Sequence, residues 1–294
     1  MNALPALKDM NTPPPRHARA LWQHFSDTYL SIRLGLAVLA FALPILLWAW
    51  GRFVHGLPLQ PSMSSYFWAA DATQCASFPM RSLFVGVVIA IGACLYLYKG
   101  LTVLENYLLN GAAICAAVVA MVPERLGTDD PYPRVVQLFA QCPAIEQWAV
   151  EQQPGLPYHY MAATGLFVLL FIVAWFCACK SLEYLPPDPP LTEGQFRSFY
   201  RGIALSMLIV GAIGGLAVYL LRHEQTPAMF FLEMAEIWVF AAYWGLKSFE
   251  MSLTKLEKDP EAAVSNAVAS GAAQDIERSG REAGQPAADV QPPA

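Results

Sequence analysis

Charge is what this sequence most lacks. Only 14% of its 294 residues are Asp, Glu, Lys or Arg, against roughly a quarter in an average soluble domain, while 56% are hydrophobic. A chain so composed expects lipid rather than water around most of its surface, which excludes an ordinary soluble enzyme. Basic excess is missing as well. With 18 Lys and Arg against 23 Asp and Glu the net charge is -5, so no positive field exists for wrapping nucleic acid. Zinc-finger, P-loop and Rossmann spacings are absent, and so are His-x-x-His and His-Glu-x-x-His pairs. Cysteine is sparse, six in all. Cys177 and Cys179 have one residue between them rather than two, and on a helix they diverge. Together with Cys94 and Cys115 they fall inside apolar runs, where cysteine acts as a small filler.

What is present is a series of uncharged spans punctuated by charge. Residues 34–51 lie between Arg33 and Arg52; as a helix they rise about 27 Å, close to the roughly 30 Å hydrocarbon core. Spans at about 82–98, 101–122, 158–179 and 202–221 follow. A sixth, about 228–246, is interrupted by Glu233 and Glu236. With six spans, thirteen Lys and Arg fall on the side of both termini and five on the other, which puts the termini in the cytoplasm. The expected fold is therefore all-α: a polytopic bundle of six transmembrane helices in a bacterial cytoplasmic (inner) membrane, with a small external helical cap. Residues 1–33 read as a cytoplasmic tail whose segment 18–32 forms a short interfacial helix, because Leu21, Phe25 and Tyr29 share one face. Residues 34–250 form the membrane domain. Residues 251–294 are a cytoplasmic, mostly disordered tail, rich in Ala, Glu, Gln, Gly and Pro.

The external side collects the chemistry. Its two substantial loops hold one cysteine each, Cys75 and Cys142, and an oxidising compartment would allow a disulfide between them. His55, His159 and His223 fall at the external ends of three spans. The bland reading is amphipathic rings resting at the interface. In the sharper one they bind zinc with Asp71, Glu124 or Glu233, and a metal-bound water attacks a lipid ester or amide with Glu233 or Glu236 as general base. Glu236 lies about 12 Å in from Ala228 at 1.5 Å per residue, so it needs a partner. Arg81, entering span two from the same side, is the expected one. A proton-coupled transporter cycling the Glu236 charge is the third possibility. The leading expectation needs no cofactor: Arg81, His159, Glu233 and Glu236 bind a membrane lipid, or a membrane-protein partner or second copy, at the external half of the bundle.

Several stretches resemble a bacterial family of six-helix membrane proteins whose function is unassigned: Ser62-Met-Ser-Ser-Tyr66, Pro79-Met-Arg81-Ser-Leu-Phe84-Val-Gly86, Tyr98-Lys99-Gly100, Tyr158-His159, Tyr200-Arg201, and Leu232-Glu233 followed by Trp238. The resemblance covers about residues 30–250. The layout is also similar to the Frag1/DRAM/Sfk1 group and to the CREST membrane hydrolases, which include alkaline ceramidases. That second likeness implies a zinc-dependent lipid amidase, but the last span here lacks the histidine pair that such a metal site uses.

Overall fold

The computed structural model of the chain describes residues 16–69, 77–124, 157–186, 188–220, 227–254 and 268. Among them the structure is helical, without strands. The long helices are α1 (Arg16–His55), α2 (Arg81–Leu97), α3 (Val103–Met121), α4 (Tyr158–Ile172), α5 (Glu193–Leu220) and α6 (Ala228–Thr254). A short 3₁₀ turn, Ser64–Phe67, lies between α1 and α2. Among the described residues five segments are long and apolar enough to cross a membrane: His24–His55, Val103–Met121, Tyr158–Tyr184, Glu193–Ala217 and Ala228–Thr254. Helix α2 is apolar but shorter, at 17 residues. Large apolar side chains such as Phe53, Val103, Ile114 and Leu216 face outward, as lipid-facing positions do.

Helices α1, α5 and α6 run longer than the apolar spans. Segment 18–32 is not a separate interfacial element but the first part of the 40-residue α1, which passes through Pro44 without ending. The reason is local burial. Tyr29 packs edge-on to Tyr98 at 6.0 Å, and the guanidinium of the buried Arg33 lies 5.8 Å from the same ring. Likewise α5 begins before its apolar run because Phe196 and Tyr200 are fully buried, and α6 continues past Lys247 because Met251 and Thr254 are buried too.

Helices α2 and α3 are joined by a tight turn written into Gly100-Leu-Thr-Val-Leu-Glu-Asn. Thr102 caps α3 by accepting from the Glu105 amide at 3.1 Å, as serine and threonine do at such starts. The Glu105 carboxylate reaches back to the Leu101 amide at 3.0 Å, and Asn106 Oδ1 accepts from the Gly100 amide at 2.7 Å. A Cβ on Gly100 would stand 2.2 Å from Glu105 Cδ, so any larger residue must displace the Glu105 side chain from its place in the turn.

The helices pack as a ring: α1 on α2, α2 on α3, α3 on α4, then α5 on α6 and α6 back on α1. The seam between α4 and α5 is the thin one. Beyond Ile172 the chain of α4 continues as a π turn (Val173–Cys177) and a 3₁₀ segment (Ala178–Tyr184), and this continuation rests against α5. The α4–α5 seam is thus closed at the end where α5 starts, hereafter the tail end. It is sparse at the other, the cap end, which carries the 3₁₀ turn Ser64–Phe67.

Candidate functional site

At the cap end the turn between α1 and α2 is threaded into the bundle by polar contacts. Glu124, just past α3, accepts from Ser62 Oγ at 2.9 Å and from Ser65 Oγ at 2.5 Å. The Ser65 amide donates to Ser62 Oγ at 2.9 Å, and the Trp68 indole donates to the Glu124 carbonyl at 2.9 Å. Among the described residues no cation joins this hydrogen-bonded set. Burial raises its pKa above the ordinary carboxylate value, and the two serine hydroxyls counter that only in part.

His159, in the first turn of α4, is 4% exposed and has both ring nitrogens engaged. Nδ1 lies 2.7 Å from the Val122 carbonyl and Nε2 lies 2.9 Å from Ser64 Oγ. A carbonyl can only accept, so Nδ1 carries the proton; in the neutral ring Nε2 then accepts from the Ser64 hydroxyl. On α6, Glu233 Oε2 accepts from the Met63 amide at 2.5 Å, and the Ser64 amide is directed at the same carboxylate. Three helices therefore converge on residues 62–65.

Ser64 and Glu233 also line a partly open, largely apolar cavity of about 90 Å³, walled by Phe84, Val88, Leu166 and Phe240 among others. Glu233 reaches a second space as well: a groove of about 560 Å³ at the sparse α4–α5 seam, with α6 as its floor. Ala163 and Phe167 of α4 border both. Gly211, Gly214 and Gly215 of α5 leave the groove room, and its few polar groups include Thr164, Glu233 and Glu236. A Cβ on Gly211 would stand 3.1 Å from Glu236 Oε1, so α5 meets this carboxylate with bare backbone. Glu236 Oε2 is buried without a hydrogen-bond partner.

Compared with family models, curated proteins and solved structures, the chain finds no match. The reading of the site therefore rests on its own geometry.

Of the residues singled out in the sequence, Glu233 and Glu236 both line the groove, and His159 is linked to Glu233 through the Met63–Ser64 segment, bonding Ser64 while Glu233 accepts from the Met63 amide. Arg81 does not join them, and the expected Arg81–Glu236 tie is not formed. The Arg81 guanidinium instead stacks on Phe78 at 4.1 Å and on Phe67 at 4.3 Å, and its Nε donates to the Phe67 carbonyl at 3.1 Å. Such stacking on aromatic faces suits the planar, weakly hydrated guanidinium. His55 sits at the end of α1. His223, Cys75 and Cys142 lie outside the described residues. Among the described residues no group of three or more His, Cys, Asp or Glu side chains could hold a metal ion.

A second polar cluster, at the tail end, was not anticipated. Lys247 and Glu250 of α6 are 3% and 0% exposed and form an ion pair at 3.2 Å. Lys247 also donates to the Ala178 carbonyl at 3.0 Å and to Ser181 Oγ. Glu250 accepts from Ser181 and from the Tyr200 hydroxyl of α5. The change from π to 3₁₀ winding lies at Ala178, and such irregular turns free carbonyls for outside donors. This knot binds α6, α5 and the continuation of α4 together. The available signal was Trp244 and Met251, seven residues apart, which carry one apolar stripe across both sides of Lys247.

Proposed function

We propose that this chain is a six-span protein of the bacterial cytoplasmic membrane, with α2 as the sixth span and both termini cytoplasmic, that binds a membrane lipid at the cap end. The acyl chain would lie in the seam between α4 and α5. The observation that supports this most directly is the groove itself: apolar walls, an edge at a thinly packed seam, and two carboxylates of α6 at its floor. From Ala163 to Phe171 the α4 wall runs about 12 Å at 1.5 Å per residue, long enough for a substantial length of acyl chain. The partnerless Glu236 oxygen is suited to a donor on the lipid, such as a hydroxyl beside an ester linkage, because a buried acceptor left unpaired costs stability.

The test is photo-crosslinking with a lipid that carries a diazirine in its acyl chain. Adducts are expected on groove residues such as Phe171, Met207 and Leu208. Gly215 has open space where a Cβ would stand, so Gly215→Phe fills the groove without moving the backbone and should abolish those adducts. Adducts spread evenly over all outward faces, unchanged by Gly215→Phe, would sink the reading.

A further inference from the structure

The polar contacts at the cap end place a serine, an imidazole with its proton already on the far nitrogen, and two directed amides beside the proposed lipid groove. We propose that Ser64 is an acyl-transfer nucleophile, with His159 as its general base, acting on the ester bond of a membrane lipid. This rests on the lipid-binding reading and adds chemistry to it.

The arrangement has the parts such a reaction needs. Ser64 Oγ is 2.9 Å from His159 Nε2, within the reach of a nucleophile and its base. The Val122 carbonyl, 2.7 Å from Nδ1, fixes the tautomer, the role that a carboxylate plays in the usual triad. The Met63 amide already holds a carboxylate oxygen of Glu233 at 2.5 Å, with the Ser64 amide aimed at the same group. Donors that hold one carboxyl oxygen are placed to hold another oxygen, the oxyanion that develops on an ester carbonyl. Glu233 would give way to it. Ala163, Phe167 and Glu233 form the wall that cavity and groove share, and Ser64 lies on the cavity side of it; displacement of the Glu233 and Phe167 side chains would admit the ester carbonyl from the groove.

The chemistry balances. Ser64 Oγ attacks the ester carbonyl carbon while its proton passes to His159 Nε2. The carbon–oxygen bond to the leaving alcohol breaks, and that alcohol takes the proton from His159, leaving the acyl group esterified to Ser64. Water, deprotonated by His159, then attacks the acyl-serine; a fatty acid leaves and the proton returns to Ser64 Oγ.

A simple fastening role for the Ser64–His159 bond would involve no covalent chemistry, so the test is covalent. The full-length protein in native membranes is treated with a long-chain alkyl fluorophosphonate, which forms an oxygen–phosphorus bond with an activated serine and expels fluoride. Peptide mass spectrometry is expected to find the adduct on Ser64 of the unaltered protein. His159→Gln should slow the labelling by about 100-fold or more, as loss of a general base does, and Ser64→Ala should remove it. Melting temperatures of the two variants near that of the unaltered protein would assign these losses to chemistry. The adduct position in the unaltered protein decides the matter even if a variant misfolds: no adduct, or an adduct on another serine, overturns the proposal. So does a labelling rate indifferent to His159→Gln. Crosslinking by the diazirine lipid in the same membranes separates the two readings. Groove adducts without Ser64 labelling defeat the nucleophile alone, whereas loss of both defeats the lipid site as well.

Discussion

Replacing Lys247 by methionine removes the only cation paired with Glu250 among the described residues and leaves the apolar stem of the side chain nearly unchanged. In the native chain the ammonium is 3.2 Å and 3.4 Å from the two Glu250 oxygens and 3.0 Å from the Ala178 carbonyl. Both side chains are almost wholly buried, so neither is screened by water. Once the cation is gone, Glu250 keeps two hydroxyl donors, Ser181 and Tyr200, but no countercharge. Stranding one member of a buried pair costs about 3–5 kcal/mol. A chain unfolded within lipid still finds some polar partners, which sets the expectation at the lower end, about 3 kcal/mol, or roughly 150-fold in the unfolding equilibrium. Adding Glu250→Gln removes the stranded charge while keeping a hydrogen-bonding group, so the double variant should recover most of the loss. Reversible unfolding in mixed micelles measures both, and the double-mutant cycle isolates the coupling. If Lys247→Met cost less than about 1 kcal/mol, or if the double variant were as unstable as the single one, charge stranding would not be the cause.

Glu124 gives a pH prediction. Its folded pKa lies above its unfolded one because of burial, so its contribution is fully present below the ordinary carboxylate pKa. That contribution is lost as pH rises through the raised value. Thermal stability should therefore fall as pH is raised from the acid side of that window, and Glu124→Gln should flatten this part of the profile; an unchanged slope would remove Glu124 from the account. Gly100→Ala brings a Cβ within 2.2 Å of Glu105 Cδ and must break the Leu101–Glu105 contact or shift the turn, a loss of about 1–3 kcal/mol. Gly215→Ala, where the Cβ meets open space, should be neutral or slightly stabilising by helix propensity, up to about 1 kcal/mol; equal losses for the two variants in the same unfolding assay would contradict the geometry.

Which parts of this structure the sequence shows follows from the length scale of the signal. Apolar runs of 18 or so residues report lipid-facing helices because each residue contributes to one sum, and five helices of that kind are found. Helix ends are different. Arg33, Lys247 and Glu250 look like tail charges, yet all three are buried, because aromatic rings and a carbonyl from other helices reach them. Glu233 and Glu236 are visible as anomalies within an apolar run, and both line the groove. Ser64 is not visible in that way. A serine in a polar loop carries no mark until His159, 95 positions away, is set beside it. Arg81 is a like case: its contacts with Phe67 and Phe78 come from residues whose nearness to it no apolar periodicity reports.

The two polar clusters explain why the bundle opens where it does. At the tail end Tyr200 ties α5 to Glu250 of α6, while Ser181 ties the continuation of α4 to the same carboxylate, so three elements meet at one buried knot. At the cap end α4 and α6 are again joined through a common partner, the 62–65 segment, by His159 and Glu233. Helix α5 contributes Gly211, Gly214 and Gly215 to the groove there, positions with no side chain to lock into a neighbour. Helix α5 is therefore tied by a side-chain hydrogen bond near its start and meets the groove through glycines further along. If the proposed lipid occupies that groove, loosening the tail-end knot by Lys247→Met should alter crosslinking there, whereas Gly215→Phe should alter it with the knot intact. If both variants changed crosslinking and only Lys247→Met lowered stability, the anchor and the groove would be separable parts of one seam.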